Sequence, residues 1–129
     1  MQGSCHCQDV KFELLGEVKK VVNCHCNLCR KMNGAPFSTY AVSLANDFKL
    51  LRGELRSIKL TDKATKFVCS QCCSPIYNQN QRFNGLNMLY LGALDQAEAL
   101  PAEVNLYTST KLTWLDGLNE MPSLEQGVG

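Results

Sequence analysis

The chain carries no surplus of either charge. Its 13 Lys and Arg stand against 12 Asp and Glu, a net charge of +1, so it offers no broad electrostatic footprint for nucleic acid or an anionic membrane. It also lacks any apolar run near the roughly 18 residues that a membrane span needs, and no basic-then-apolar leader follows Met1. A soluble, cytoplasmic protein is expected. Low-complexity blocks, repeats at a period of about 20 to 50 residues and Gly/Ser or Pro-rich linkers are missing too. With 129 residues, 45% of them apolar and 19% charged, the sequence reads as one domain over 1–129, with only the residues after Leu124 loose.

What the sequence does have is eight cysteines. In a chain with no secretory signal the thiols should stay reduced, which favours metal binding or catalysis over disulfides. Spacing points the same way, because a bridge within Cys5-His6-Cys7 or Cys24-His25-Cys26 would close a tiny strained ring.

Most of the remaining chain divides into short β-branched and aromatic segments bounded by Gly, Asn or Asp. Strands are expected over 10–15, 18–23, 37–44, 48–51, 55–60, 65–70, 88–94 and 104–110. One short helix is expected from Asn27 to Asn33, with Asn27 capping its first turn, Gly34 ending it, and Arg30 and Lys31 near its carboxyl end. The class is mainly β with a modest core, and a metal tying distant segments together would add much of the stability.

Counting to four organises the cysteines. Cys5 and Cys7 need two partners, and Cys69 with Cys72 is the other separate pair, so these would close a four-thiolate structural zinc site across most of the sequence. Cys24, Cys26 and Cys29 supply three thiolates and leave one position open, as a catalytic or substrate-binding zinc does. In extended chain His25 would turn away from an ion held by its two neighbours, although His6 could still reach that ion. The triple could alternatively be a second structural site, closed by Cys73 or an acidic residue. Otherwise Cys73 is expected as a buried free thiol.

Three thiolates leave a zinc site with a net charge near −1 and acidify bound water less than three histidines would. A soft substrate thiol, held as thiolate, is the better-matched fourth ligand. Chemistry at a carbon–sulfur bond follows, such as thiolate addition to a carbonyl or its reversal. No residue declares itself as the proton carrier.

These residues resemble the glutathione-dependent formaldehyde-activating enzymes. The resemblance rests on Gly3-Ser4-Cys5-His6-Cys7, on Cys24-His25-Cys26-Asn27-Leu28-Cys29-Arg30-Lys31 with Gly34-Ala35-Pro36-Phe37, on Phe67-Val68-Cys69-Ser70-Gln71-Cys72, on Gly92-Ala93-Leu94-Asp95, and on Trp114 ahead of Met121-Pro122. It implies small antiparallel sheets (a β-tent) around two zinc ions, a structural one on Cys5, Cys7, Cys69 and Cys72 and a catalytic one on Cys24, Cys26 and Cys29. The implied reaction joins glutathione and formaldehyde into S-hydroxymethylglutathione, a carbon–sulfur lyase read in reverse. The chain departs from the family where Gln8 and Cys73 replace glycines just past each cysteine pair, positions that commonly take φ > 0, and at Pro75, which fixes the chain past the second pair.

Arg30, Lys31 and Arg82 are candidates to meet the carboxylates of a glutathione-like substrate. Phe37, Tyr40, Tyr90 and Trp114 could line a pocket over the open zinc or simply fill the core, and Asp95 could carry a proton or shape a turn. The rival class is a non-enzymatic zinc module that binds a protein partner.

Overall fold

A computed structural model of the chain describes residues 1–128. The expectation of a loose end after Leu124 falls partly on Gly129, outside them; residues 124–128 carry no helix or strand. The strands are β1 (Gln2–Ser4), β2 (Lys11–Leu14), β3 (Lys20–Cys24), β4 (Ser38–Leu44), β5 (Phe48–Arg52), β6 (Leu55–Lys59), β7 (Ala64–Cys69), β8 (Pro75–Asn80), β9 (Leu86–Tyr90) and β10 (Val104–Leu106), with one α-helix, α1 (Asn27–Asn33). The protein is mainly β, as expected.

Three strands form a small sheet in the order β1-β2-β5, and seven form a larger one in the order β10-β3-β4-β9-β8-β7-β6. Every pairing is antiparallel except β10 with β3. Because side chains alternate across a strand, the large sheet has two different faces. Ala41 and its partner Leu89 belong to the main core with Val10, Phe12 and Leu14 from the small sheet and the residues leading into it. On the opposite face, Val22 stands opposite Tyr40, which stands opposite Tyr90. These three form a second buried cluster with Cys24 and Cys29.

The small sheet can close on the core because residue 3 has no side chain. A Cβ on Gly3 would lie 2.3 Å from Cζ of Phe12 and 2.4 Å from the Ala93 carbonyl oxygen, far inside contact distance.

Sequence expectations fail at identifiable places. β8 reads Pro-Ile-Tyr-Asn-Gln-Asn, three of its residues being of the kinds that strands disfavour, yet Asn78 is buried and satisfied by side chains described below. The three-residue β1 is too short to show a period. The strand expected over 88–94 begins at Leu86 and gives way to a 3-10 turn at Leu91–Ala93. The one expected over 104–110 stops at Leu106, because Tyr107 takes a left-handed conformation (φ 59°) and a 3-10 turn follows at Thr108–Thr110.

Candidate metal centres and cleft

The first cysteine group is built from two matched turns. Cys5 and Cys7 lie in the turn after β1, whereas Cys69 ends β7 and Cys72 lies in the turn that follows it. Each turn aims a backbone N–H at a sulfur: Val10 N donates to Cys5 Sγ at 3.2 Å and Gln71 N to Cys69 Sγ at 3.4 Å. Each also contains a left-handed residue, Gln8 at φ 69° and Cys73 at φ 63°, the two positions where the family resemblance puts glycine. Ser74 joins the turns. Its Oγ accepts from His6 N at 3.1 Å and lies 3.1 Å from Cys72 Sγ, and its hydroxyl holds the Cys72 thiol down to about 5. The His6 side chain is exposed.

The ligand atoms of Cys5, Cys7, Cys69 and Cys72 all lie within 4.8 Å of one another. Sulfurs bound to one tetrahedral zinc at ~2.3 Å stand about 3.8 Å apart. The separations of 3.5 Å for Cys5 to Cys7 and 3.9 Å for Cys7 to Cys69 bracket that value, so the set fits zinc. Pro75 opens β8 directly after these turns.

Cys73 corrects an expectation. It is exposed, not buried, because the left-handed turn throws its side chain outward, where the Arg56 guanidinium approaches its sulfur to 3.1 Å. It belongs to neither group of clustered ligands.

The second group sits where β3 runs into α1. Cys24 ends the strand, Cys26 is the N-cap, and Cys29 lies in the first helical turn. The cap is therefore Cys26, whose sulfur accepts from Cys29 N at 3.3 Å, and not Asn27, which is the first helical residue. The helix ends at Gly34 in a left-handed conformation (φ 59°), its N–H returning to the Arg30 carbonyl. The three sulfurs also lie within 4.8 Å of one another, Cys24 and Cys26 at 3.4 Å, a fit to zinc with a fourth position to fill. The hydrogen bond between Cys24 and Cys29 holds the Cys24 thiol down to about 6 and pushes Cys29 up.

Beneath this group runs a buried polar chain. Tyr90 Oη donates to Asn78 Oδ1 at 2.9 Å, Asn78 Nδ2 donates to Tyr40 Oη at 3.3 Å, and Tyr40 Oη lies 3.2 Å from Cys29 Sγ. Burial pushes both phenols up, Tyr90 to about 12. Beside them is Lys66, buried on β7, with Nζ donating to Asn33 Oδ1 at 2.8 Å and lying 5.4 Å from the Tyr90 ring centre. It forms no ion pair among the described residues. Burial pulls its ammonium below the usual lysine range, while a thiolate at Cys29 would oppose that shift. Lys66, Asn78 and Asn33 carry no signal in the sequence, since a lysine and two asparagines in polar stretches read as surface.

The three cysteines open onto a cleft of about 650 Å³ whose lining includes Tyr40 and Arg82. Of the other sequence candidates, Arg30 and Lys31 line a separate depression with Pro36 and Leu112. Tyr90 lies behind Tyr40, and Phe37 packs on the His25 ring at 5.0 Å. His25 is buried and its Nε2 is 3.1 Å from Asn105 Oδ1. Asp95 is exposed beside another hollow that His6 and Ser4 share. Trp114 is half exposed and outside the cleft.

A two-sheet β protein with one four-cysteine and one three-cysteine group, each able to hold a metal ion, is the class that these features define. Residues 1–110 match the glutathione-dependent formaldehyde-activating enzyme, and the chain belongs to that family. The match stops short of Trp114 and Met121-Pro122. A Rhodobacter sphaeroides protein known from its crystal structure has a similar fold, with a TM-score of 0.64 and 22% sequence identity over 82% of this chain and 99% of that one. Among the described residues no helix is long and apolar enough to cross a membrane.

Proposed function

We propose that Cys24, Cys26 and Cys29 hold a working zinc ion, that Cys5, Cys7, Cys69 and Cys72 hold a structural one, and that the protein joins glutathione to an aldehyde such as formaldehyde, or splits the adduct. This is the carbon–sulfur lyase reaction of the S-(hydroxymethyl)glutathione synthase type. The observation that carries the reading is the contrast between the two groups. Four sulfurs gather in one and satisfy a tetrahedral ion by themselves, whereas three gather in the other and face a cleft.

Zinc bound to the three thiolates would supply a thiophilic Lewis acid that keeps a substrate thiol deprotonated near neutral pH. The protein's own groups would do the rest. Tyr40 accepts from Asn78 and would give its proton to Cys29 Sγ once that sulfur is a metal-bound thiolate, fixing that ligand's orientation. Lys66 places a buried positive charge behind a cluster whose loaded net charge is near −1. Arg82, on the cleft wall and in none of the ion pairs among the described residues, would meet a substrate carboxylate. Adduct formation makes a bond from the thiol sulfur to the carbonyl carbon, breaks the carbonyl π bond, and leaves the thiol's proton on the resulting hydroxyl.

X-ray absorption at the zinc edge, with and without glutathione, tests the reading. Two ions are expected, one with four protein sulfurs and one with three plus a ligand that glutathione replaces. Two closed sites indifferent to thiol would sink the enzyme and favour a zinc module that binds a protein partner.

A further inference from the structure

The cleft over the three cysteines is walled by apolar side chains well beyond what a one-carbon aldehyde could touch. Register explains this. Val22, Tyr40 and Tyr90 form one cross-strand row on the open face of the large sheet, and Val42 with Met88 forms part of the next. Leu86, Phe83 and Leu106 continue the wall. Phe83 is 51% exposed and Leu106 38%, an unusual concentration of apolar surface beside a polar reaction centre. The polar groups of the lining are few: the three thiols, the Tyr40 and Tyr107 phenols, Asn80, Lys20 and Arg82. Lys20 is already paired with Glu103 at 3.7 Å, which leaves Arg82 as the available cation. No carboxylate lines the cleft among the described residues, so nothing acidic there would receive the ammonium of glutathione.

At about 650 Å³ the cleft is of the size that encloses a small molecule. Glutathione reaching the cysteines with its thiol would direct its charged ends toward Arg82 and solvent. Formaldehyde has no substituent to cover Val42, Met88 and Leu86. We infer that the carbonyl partner at this site is an aldehyde bearing an apolar chain or ring of several carbons, which lies along Val22, Val42, Met88 and Leu86 while its carbonyl carbon meets the thiol. The bond changes are those of the formaldehyde reaction, with the apolar group on the carbon that becomes S–CH(OH)–R, and no oxidant or reductant is required. This inference rests on the three-cysteine cleft being the reacting site.

S-alkylglutathiones copy such an adduct without its hydroxyl, and their binding to the zinc-loaded full chain can be read by titration calorimetry without turnover. Each methylene wholly removed from water is worth about fourfold in affinity. S-hexylglutathione is therefore expected to bind at least about tenfold more tightly than S-methylglutathione, allowing for a wall that stays partly open. Met88→Gln and, as a second wall variant, Leu86→Gln should flatten that dependence, and Ile58→Thr on the exposed strand β6 should keep it. Equal affinity for the two thioethers, or a dependence untouched by both wall variants, would overturn the inference. If glutathione alone changes the zinc-edge spectrum while chain length has no effect, only the inference falls. If glutathione changes nothing at the three-cysteine group, the proposed function falls first and the inference falls with it.

Discussion

The Tyr40 hydroxyl has one proton and lies within hydrogen-bond reach of Asn78 and Cys29. Asn78 Nδ2 donates to its oxygen, and a metal-bound Cys29 thiolate can only accept, so in the loaded protein the phenol proton would go to Cys29 Sγ. Tyr40→Phe should therefore weaken zinc at the three-cysteine group by about 10- to 100-fold while leaving the four-cysteine group unchanged. Competition with a chromophoric chelator, resolved into two ions, would check this, and equal weakening of both would refute the assignment. Lys66 acts through charge instead. A buried ammonium is costly when unpaired, and its justification is the negative charge of the loaded cluster. Lys66→Met should lower affinity for the second ion yet leave the thermal stability of the metal-free protein nearly unchanged, which a melting curve with and without zinc would separate.

Turns and strands carry a different kind of information. Helix α1 was legible to the residue, because Gly34 supplies the left-handed C-cap and the lysine and arginine suit its last turn, but its N-cap was misassigned. Asparagine is a common cap, and only the fold reveals that the Cys26 sulfur already occupies that place. β8 was illegible because its buried asparagine is satisfied by Tyr40 and Tyr90 from other strands, partners that no local pattern discloses. The left-handed Gln8 and Cys73 were foreseeable from the glycines that the family places there. Cys73→Gly should relieve that strain and stabilise the zinc-loaded protein by about 1 kcal/mol. Gly3→Ala should do the reverse, by about 1–3 kcal/mol, through overlap with Phe12 and Ala93. Urea titrations at fixed zinc would measure both, and a stabilising Gly3→Ala would contradict the packing described.

At the scale of the whole molecule, the two groups should separate on removal of metal. Losing an ion at the three-cysteine group would leave the sheets tied, while losing one on Cys5, Cys7, Cys69 and Cys72 would cut the link between the turn after β1 and the end of β7, leaving the shared core to hold the small sheet on the large. Graded chelation should release zinc in two steps, with the far-ultraviolet circular dichroism of the sheets falling only in the second. Release in a single step accompanied by full unfolding would argue against distinct roles. The cysteine groups were legible because short ligand spacing is a local property. The cleft wall was not, since it is written in the cross-strand register of β3, β4 and β9.

The sequence separation of the ligands also bears on the protein's birth. Cys24, Cys26 and Cys29 leave the ribosome together, whereas Cys5 and Cys7 must wait for Cys72, about forty residues after Cys29, or roughly two to nine seconds at ~5–20 residues per second. A nascent chain could therefore capture an ion on these three cysteines before the four-cysteine group is complete, and during that interval Cys5 and Cys7 are an unpaired dithiol open to oxidation or to the wrong metal.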